Sequence, residues 1–518
     1  MGRTKNAFRI IGICGGAFII GADSLAIGVV IGPMAASLDA SLATTQWFLS
    51  GYGIGVATFF ITAGKISDSW GIRKANLLGL LLFGIGSALI AVAPTSLFAI
   101  SARLLQGIAG AFMMSSSLAF ASSRYEGQAR ARVFSYIMAS SGLGMGVGPL
   151  IAGAVVDLFD WRAVFWINLP YCALWILLTA LTLEKDPPTR RVRLDLTGLL
   201  LLSATILCLT IALSQGPDWG WGDPITLLLI VGFLLGLPLF LIREIKTDHA
   251  LLQLRIFRIK SYFPASMIGF FSYFVALGWL FLTSLYLHRV EELSPLSIGI
   301  SLTPYAFSFL IGGILSAPLG ARIGWTNVLS GGLVILGTAL IILAIWQTDF
   351  SRILLTIPFF ALGLGFVGAN NGSLTIAHAH LPSDLVGVST GTSLMFRWLG
   401  TALGIAIVTI VLHEVASRDL EKRYPSNHSN FPTLQQMDEF LVSHGSWENE
   451  TKDLPDPARK EAVAILSRSF STGVSAGLFL LGGVSLLGAL TGITLRSRPS
   501  EKPEEDQEGQ VVQPLNSS

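Results

Sequence analysis

One carboxylate lies in the middle of a long apolar stretch near the start of the chain. Asp23 is flanked on both sides by Ile, Ala, Leu, Val and Gly, whereas the other acidic residues fall outside such stretches or at their ends. A charge in hydrocarbon has to be functional or satisfied by a partner. Desolvation favours the protonated carboxyl and a nearby cation favours the ionised one, so such a group can bind and release a proton. The alternative is a structural aspartate that caps a helix or accepts hydrogen bonds.

A second polar group interrupts apolar sequence at Arg103-Leu-Leu-Gln-Gly-Ile-Ala-Gly110. The three-residue spacing places Arg103 and Gln106 on one side of a helix. A cavity-facing cation at this position would favour the charged form of a nearby carboxylate. We therefore predict that Asp23 and Arg103 are a proton-coupling pair that binds and releases a proton, with Gln106 as candidate pocket lining. The alternative for Arg103 is a side chain that reaches out to the membrane interface.

These residues belong to a chain made largely of apolar segments of membrane length. Of its 518 residues 52% are hydrophobic and 13% are charged, and the mean hydropathy is +0.65; soluble domains have about 25% charged residues. Fourteen stretches approach the roughly 20 apolar residues that a helix needs to cross a bilayer. The sequence therefore predicts an all-α polytopic membrane protein with 14 transmembrane helices.

Basic residues alternate along the chain and set the expected orientation. They are concentrated in loops such as the one that holds Arg73 and Lys74, and they are sparse in the loops around Arg162 and Arg289. Short basic loops remain on the cytoplasmic side. We expect both termini in the cytoplasm and a multi-pass location in the plasma (cell inner) membrane.

The loop between the second and third apolar stretches reads Gly64-Lys-Ile-Ser-Asp-Ser-Trp-Gly-Ile-Arg-Lys74. Its glycines let helix ends approach closely, and its aspartate can pair with a basic residue or a helix N-terminus of a neighbouring half when the cytoplasmic side is shut. The predicted cytoplasmic gate consists of Gly64, Asp68, Gly71, Arg73 and Lys74. The alternative is a solvated loop that only follows the distribution of positive charge.

The same pattern recurs in weaker form as Gly320-Ala-Arg-Ile-Gly-Trp-Thr-Asn327, after the tenth stretch, which indicates an internal duplication. We predict four regions. They are an N-terminal six-helix half at 1–190, two linking transmembrane helices at 191–262, a C-terminal six-helix half at 263–495 with an outer loop of partial helical character at 414–470, and a disordered cytoplasmic tail at 496–518.

The fifth apolar stretch contains the glycine-rich run Gly142-Leu-Gly-Met-Gly-Val-Gly-Pro-Leu-Ile-Ala-Gly153. Glycines four residues apart, at Gly144 and Gly148, expose backbone on which a neighbouring helix can pack. Pro149 weakens the helix and permits bending. These residues and Gly153 predict a hinge between the halves.

The second half has fewer polar residues inside apolar sequence. Asn370, Asn371 and Arg397 need partners in hydrocarbon, and they are candidates for pocket lining or for structural contacts. Cysteine and histidine positions give no metal-ligand pattern. The chain contains no nucleotide-binding phosphate loop and no nucleophile and base arrangement, so we expect neither an enzyme nor a cofactor, and no nucleic-acid partner.

Three of these motifs together resemble the major facilitator superfamily. The gate loop is similar to the signature of this superfamily between its second and third helices. The segment Arg103–Gly110 is similar to the arginine motif of its proton-coupled exporters. The run Gly142–Gly153 is similar to its antiporter motif. Gln46-Trp-Phe-Leu-Ser-Gly-Tyr52 and Trp161-Arg-Ala-Val-Phe-Trp-Ile-Asn-Leu-Pro170 extend the resemblance to the fourteen-helix drug:proton antiporter branch (EmrB/QacA-like).

The resemblance implies a major facilitator fold, with two six-helix halves plus two extra helices. It implies proton-coupled efflux of small amphipathic or lipophilic compounds by alternating access, with a small-molecule substrate, protons and the lipid bilayer as partners. A specific metabolite exporter or uptake transporter of the same fold, or a transport-inactive sensor, stays an alternative. The sequence identifies no accessory efflux partner.

Overall fold

The computed structural model describes residues 2–125, 127–184, 195–247, 250–346, 352–379, 381, 386–424, 431–442, 447 and 451–496. Across these ranges the regular elements are helices, without a strand, and fourteen of them are long and apolar enough to cross a membrane. The predicted fold class, an all-α polytopic membrane protein with 14 transmembrane helices, is confirmed.

We number the fourteen long helices in chain order. They are α1 Gly2–Ser37, α2 Trp47–Trp70, α3 Ile72–Ala91, α4 Ser96–Arg124, α5 Gly127–Leu158, α6 Trp161–Thr182, α7 Leu196–Trp219, α8 Pro224–Lys246, α9 Tyr262–Arg289, α10 Pro295–Ile323, α11 Trp325–Trp346, α12 Arg352–His378, α13 Val386–Arg423 and α14 Asp456–Arg496. Two short helices, Leu42–Thr45 and Leu434–Val442, and a 3-10 turn at Leu254–Arg258 lie between them.

The first six and the last six helices pack in the same pattern. In the N-terminal half, α1 packs on α5, α4 packs on α2 and α3, and α3 packs on α6. In the C-terminal half the corresponding pairs are α9 with α13, α12 with α10 and α11, and α11 with α14. The halves meet where α5 packs on α10 and where α2 packs on α13. The six-helix unit therefore occurs twice in the bundle.

Equivalent glycines end the second helix of each half. Gly71 has φ 101° and Gly324 has φ 86°, a backbone region that is nearly restricted to glycine. Their N–H groups donate to Ser67 O and Gly320 O, both at 3.0 Å. The repeated loop thus keeps its turn geometry, although the second copy has lost the residues at the positions of Asp68 and the following basic pair.

The linking helices α7 and α8 form a hairpin beside the junction of α2 and α13. At one end of α2, Trp47 Nε1 donates to Ser214 Oγ of α7 at 2.6 Å. At the other end, Lys65 Nζ donates to Ala250 O, just after α8, at 2.6 Å. The hairpin is therefore tied to α2 near both membrane surfaces.

The two ends of the bundle differ in how closely the halves approach each other. We call the end with the loop Gly64–Lys74 the gate end and the opposite end the far end. At the far end α1 meets α9, where a Cβ added at Gly32 would overlap the His288 ring. In the same region a Cβ at Gly153 of α5 would lie 2.8 Å from the Cα of Leu296 in α10. The far end is closed.

Toward the gate end the same face of α5 loses these contacts. Gly146 and Gly142 lie seven residues, or two helical turns, before Gly153 and Pro149 and so on the same face. A Cβ added at either position has no described atom within 4 Å. The α5 and α10 side of the halves therefore separates toward the gate end, and the bundle is open on that side.

The far end of the C-terminal half carries a folded cap. Helix α13 continues to Arg423 and α14 begins at Asp456, so much of the region predicted as the loop 414–470 is helical. Met437, Leu441 and Trp447 are buried, and Arg289 Nη1 of α9 donates to Leu441 O at 2.9 Å. The predicted tail lies outside the described residues from position 497 onward.

Candidate functional site

An ion pair is buried in the centre of the N-terminal half. Asp23, in the middle of α1, is 7% exposed, and Arg103, on α4, is 1% exposed. Arg103 Nη1 donates to Asp23 Oδ2 at 2.6 Å. The structure thus brings the two predicted proton-coupling residues together. It does not place Asp23 at a helix terminus, and Arg103 does not extend to the membrane interface.

Neutral acceptors hold the rest of the Arg103 guanidinium. Its Nη1 also donates to Gln106 Oε1 at 2.8 Å, and its Nε donates to Phe48 O at 2.8 Å. The Tyr52 ring lies below the guanidinium, 4.9 Å from its carbon to the ring centroid, within the range of a cation–π contact. Arg103 is therefore positioned by α2 and α4 together.

The network continues into α3 and α6 through residues that the sequence analysis did not single out. Gln106 Nε2 donates to Ser87 Oγ at 2.7 Å, and Asn168 Nδ2 donates to the same oxygen at 3.2 Å. Gln106 is fully buried and orients Arg103. Isolated Ser and Asn residues in apolar helices were the only available signal, and such residues occur in many membrane helices.

The arrangement can exist in two charge states. With Asp23 ionised, the pair is neutral as a whole and each charge has a partner. With Asp23 protonated, Arg103 keeps its charge and retains only the neutral acceptors of Gln106 and Phe48 and the Tyr52 ring. Because unpaired charge is costly at low dielectric, the two states favour different environments around Asp23.

The glycine-rich helix α5 rests on α1 next to this carboxylate. A Cβ at Gly144 would overlap the backbone of Phe18, and a Cβ at Gly148 would overlap the backbone of Ala22. Ala22 directly precedes Asp23. Only glycine permits this approach, so α1 and α5 are in backbone contact at the level of the ion pair.

The opposite face of α5 contacts the other half. The carbonyl oxygen of Pro149 lies against Gly299 of α10, and Gly153 lies against Pro295 and Leu296. The same helix therefore touches the helix of Asp23 on one side and closes the far end on the other. A shift of α1 at Asp23 can reach the interface between the halves through α5.

The structure does not place the predicted gate residues in a closed latch. Asp68 is exposed and forms no ion pair with any residue in the described ranges. Arg73 Nη2 donates to Ala180 O of α6 at 2.7 Å, Lys74 is exposed, and a Cβ at Gly64 meets nothing within 4 Å. This agrees with the separation of the halves toward the gate end.

The three polar candidates of the second half fall into two groups. Asn371 Nδ2 donates to Ser316 Oγ at 3.0 Å and joins α12 to α10. Arg397, on α13, is 1% exposed and its Nε donates to Asn370 Oδ1 at 3.0 Å. In the part of the chain that is described, no group of three or more His, Cys, Asp or Glu side chains could hold a metal ion.

The repeated six-helix unit, the paired interfaces between halves and a buried ion pair in the bundle define a polytopic transporter built from internal repeats. The chain belongs to the Major Facilitator Superfamily, which its residues 13–405 match. The family resemblance inferred from the sequence motifs is thereby confirmed.

Two curated relatives and one solved structure illustrate the similarity. The "Tetracenomycin C resistance and export protein" of Streptomyces glaucescens is 26% identical over 513 residues, which cover 96% of this chain and 93% of that protein. The "Multidrug resistance protein Stp" of Mycobacterium tuberculosis is 29% identical over 412 residues, 78% of this chain and 76% of that protein. The crystal structure of a bacterial homologue of the human lysosomal transporter Spinster, inward-facing and occupied, superposes with a TM-score of 0.68 at 16% identity, covering 96% of this chain and 99% of that one. The last similarity concerns the fold alone.

Proposed function

We propose that the protein exports small amphipathic or lipophilic compounds in exchange for protons, by alternating access across the plasma membrane. The observation that carries this proposal is the buried Asp23–Arg103 pair, a carboxylate placed to hold a proton inside the bundle. The resistance and export functions in the names of the two relatives support an outward direction of transport.

The orientation follows from the charge distribution. The basic loops lie at the gate end together with the start of the chain, so the gate end and both termini face the cytoplasm. The described conformation, closed at the far end, then receives substrate from the cytoplasm with the ion pair formed. Asp68 acts when the gate end closes, by binding a partner on the C-terminal half.

The proton enters the cycle when the far end is open. Asp23 takes up a proton from the outer side, its contact with Arg103 weakens, and α1 moves relative to α5. Because α5 also holds the far-end interface, this movement favours closure at the far end and return to the cytoplasm-facing state. Loss of the proton to the cytoplasm restores the ion pair.

The test is transport in proteoliposomes with an imposed pH gradient, over a chemically diverse panel of lipophilic compounds. We expect gradient-dependent movement of several unrelated compounds that stops when a protonophore is added. Movement of one compound only would assign a specific exporter instead. A transport rate that does not depend on the pH gradient would contradict proton coupling.

A further inference from the structure

The C-terminal half contains a buried cation, Arg397, that has no acidic partner among the described residues. Arg397 donates from Nε to Asn370 Oδ1 at 3.0 Å, from Nη1 to Ser393 O at 3.1 Å and from Nη2 to Ser373 Oγ at 2.8 Å. All three acceptors are neutral. Among the residues that the structure describes, no carboxylate lies within ion-pair distance of this guanidinium.

The surrounding titratable groups do not compensate the charge. Tyr262, Tyr273 and His378 are the groups whose charge states interact with that of Arg397, and none of them is anionic at neutral pH. A buried cation that is hydrogen-bonded but uncompensated retains much of its desolvation cost. An anion brought to this place would therefore be bound favourably.

The guanidinium has donors left for such an anion. Arginine carries five N–H groups, and three are used, which leaves one on each terminal nitrogen without a partner in the described ranges. Gly269 of α9 makes room for the group, because a Cβ there would lie 2.8 Å from Arg397 Cζ. Such N–H groups form charge-assisted hydrogen bonds with the oxygens of a carboxylate.

Aromatic residues lie within one helical turn of this site along α9 and α13, and their rings extend across the two halves. Trp398, next to Arg397 on α13, lies 5.8 Å from the Tyr273 ring and 5.4 Å from the Tyr52 ring of the N-terminal half. Tyr273 lies 5.3 Å from Phe366 of α12. Trp398 and Tyr273 are only half-buried, so their ring surfaces remain partly available to a flat apolar group.

We propose that the substrate is an aromatic compound with an acidic group, whose carboxylate binds Arg397 and whose ring packs on Trp398 and Tyr273. This deepens the proposed export function and rests on it. Substrate charge and coupling proton then occupy different halves: Arg397 holds the anion in the C-terminal half, and Asp23 holds the proton in the N-terminal half.

The test measures binding to the full chain in lipid nanodiscs by calorimetry, without any proton gradient. The probes are benzoate, 2-naphthoate and anthraquinone-2-carboxylate, each compared with its carboxamide, and tetraphenylphosphonium as a lipophilic cation. We expect at least one carboxylate to bind on the order of tenfold more tightly than its amide, because charge-assisted hydrogen bonds are lost in the amide. The cation should bind most weakly.

Two variants locate the effect. Arg397→Gln should remove the preference for the carboxylate while leaving amide affinity within about twofold, whereas Arg397→Lys should retain part of the preference. Equal binding of acid and amide by the wild type, failure of every carboxylate to bind, or equal weakening of acid and amide in Arg397→Gln would overturn the proposal.

The outcome is separable from that of the proposed function. Carboxylate-selective binding together with transport that does not depend on the proton gradient would refute proton coupling and support the anion site. Proton-driven export of neutral compounds without any preference for carboxylates would support proton coupling and refute the anion site.

Discussion

Among the residues that the structure describes, two arginines are fully buried, and their environments contrast. Arg103, in the N-terminal half, lies 2.6 Å from the carboxylate of Asp23, and the net charge of this pair depends on whether the carboxylate is protonated. Arg397, in the C-terminal half, donates to amide, hydroxyl and carbonyl oxygens within the described part of the chain. The repeat therefore supplies similar helices but different electrostatics, with a switchable charge in one half and a fixed charge in the other.

The largest effect is expected from removing the cation of the switchable pair. Arg103→Met leaves Asp23 in hydrocarbon without its partner, and breaking a buried pair in this way costs about 3–5 kcal/mol if the acid stays charged. We expect proton-driven transport to be lost, because the carboxyl of Asp23 then has no cation with which to form and break a pair during the cycle.

The matched control is Arg132→Met, which removes an exposed cation from α5. It should retain wild-type thermal stability and an unchanged profile of flux against pH. An Arg103→Met protein that behaves like this control would show that the contrast between the two arginines has no functional meaning.

An intermediate effect is expected where α5 meets α1. Gly148→Ala adds a Cβ that overlaps the Ala22 backbone, and overpacking of this kind typically costs about 1–3 kcal/mol. The melting temperature and the transport rate should both fall. Gly146→Ala, two residues away with no described atom near its added Cβ, should leave the melting temperature unchanged. Equal melting temperatures for the two variants would argue against close contact between α5 and α1.

The gate loop should show a kinetic effect without a structural one. Asp68 is exposed in the open conformation, so Asp68→Asn should leave the melting temperature and substrate affinity unchanged. Turnover should drop on the order of tenfold, which corresponds to about 1.4 kcal/mol in the barrier of the closing step. Asp157→Asn, another exposed aspartate, serves as the control. Parallel losses of affinity and turnover in a folded Asp68→Asn protein would place Asp68 outside the gate.

The smallest effect is expected for the ion pair between Asp195 and Arg243 at the edge of the linking hairpin. This pair serves as a reference for the buried pair of Asp23 and Arg103. Burial alone would raise the pKa of Asp195, but hydrogen bonds from Arg243 and from the Gly198 N–H, together with the Arg243 charge, hold that pKa below its ordinary value. Because the folded-state pKa is lowered, the stabilisation is present at neutral pH and is lost as the pH falls through that lowered value.

Asp195→Asn should therefore lower the melting temperature slightly at pH 7. The difference should begin to shrink near the ordinary aspartate pKa of about 4 and should be weakened by salt, since Arg243 is 35% exposed. A difference that persists unchanged in acid would show that the pair is not its cause.

The sequence predicted the membrane fold because apolar length and the positions of basic residues reflect the bilayer directly. Asp23, Arg103 and Gln106 stood out for the same reason, since polar groups are rare in such segments. Their partners could not be predicted, because the contacts of Arg103 with Phe48 O and the Tyr52 ring depend on how the helices rotate and approach each other.

The cap at the far end shows a different limit. Hydropathy ended the thirteenth span near residue 413, but α13 continues to Arg423, since a helix outside the hydrocarbon needs only one apolar face. The burial of Met437 and Trp447 in that cap arises from tertiary packing. The open gate end was equally beyond prediction, because one sequence supports both conformations of a transporter.

The most direct test of the central claim, that Asp23 carries the coupling proton, is Asp23→Asn in proteoliposomes with Asp157→Asn as the control. Flux is measured in two modes, namely concentration of substrate by a pH gradient and exchange of labelled for unlabelled substrate at equal concentrations. The amide resembles the protonated carboxyl in charge and shape but cannot release a proton. We predict that gradient-driven concentration is lost while exchange survives. An Asp23→Asn protein that still concentrates substrate with a proton gradient as its only driving force would contradict the account.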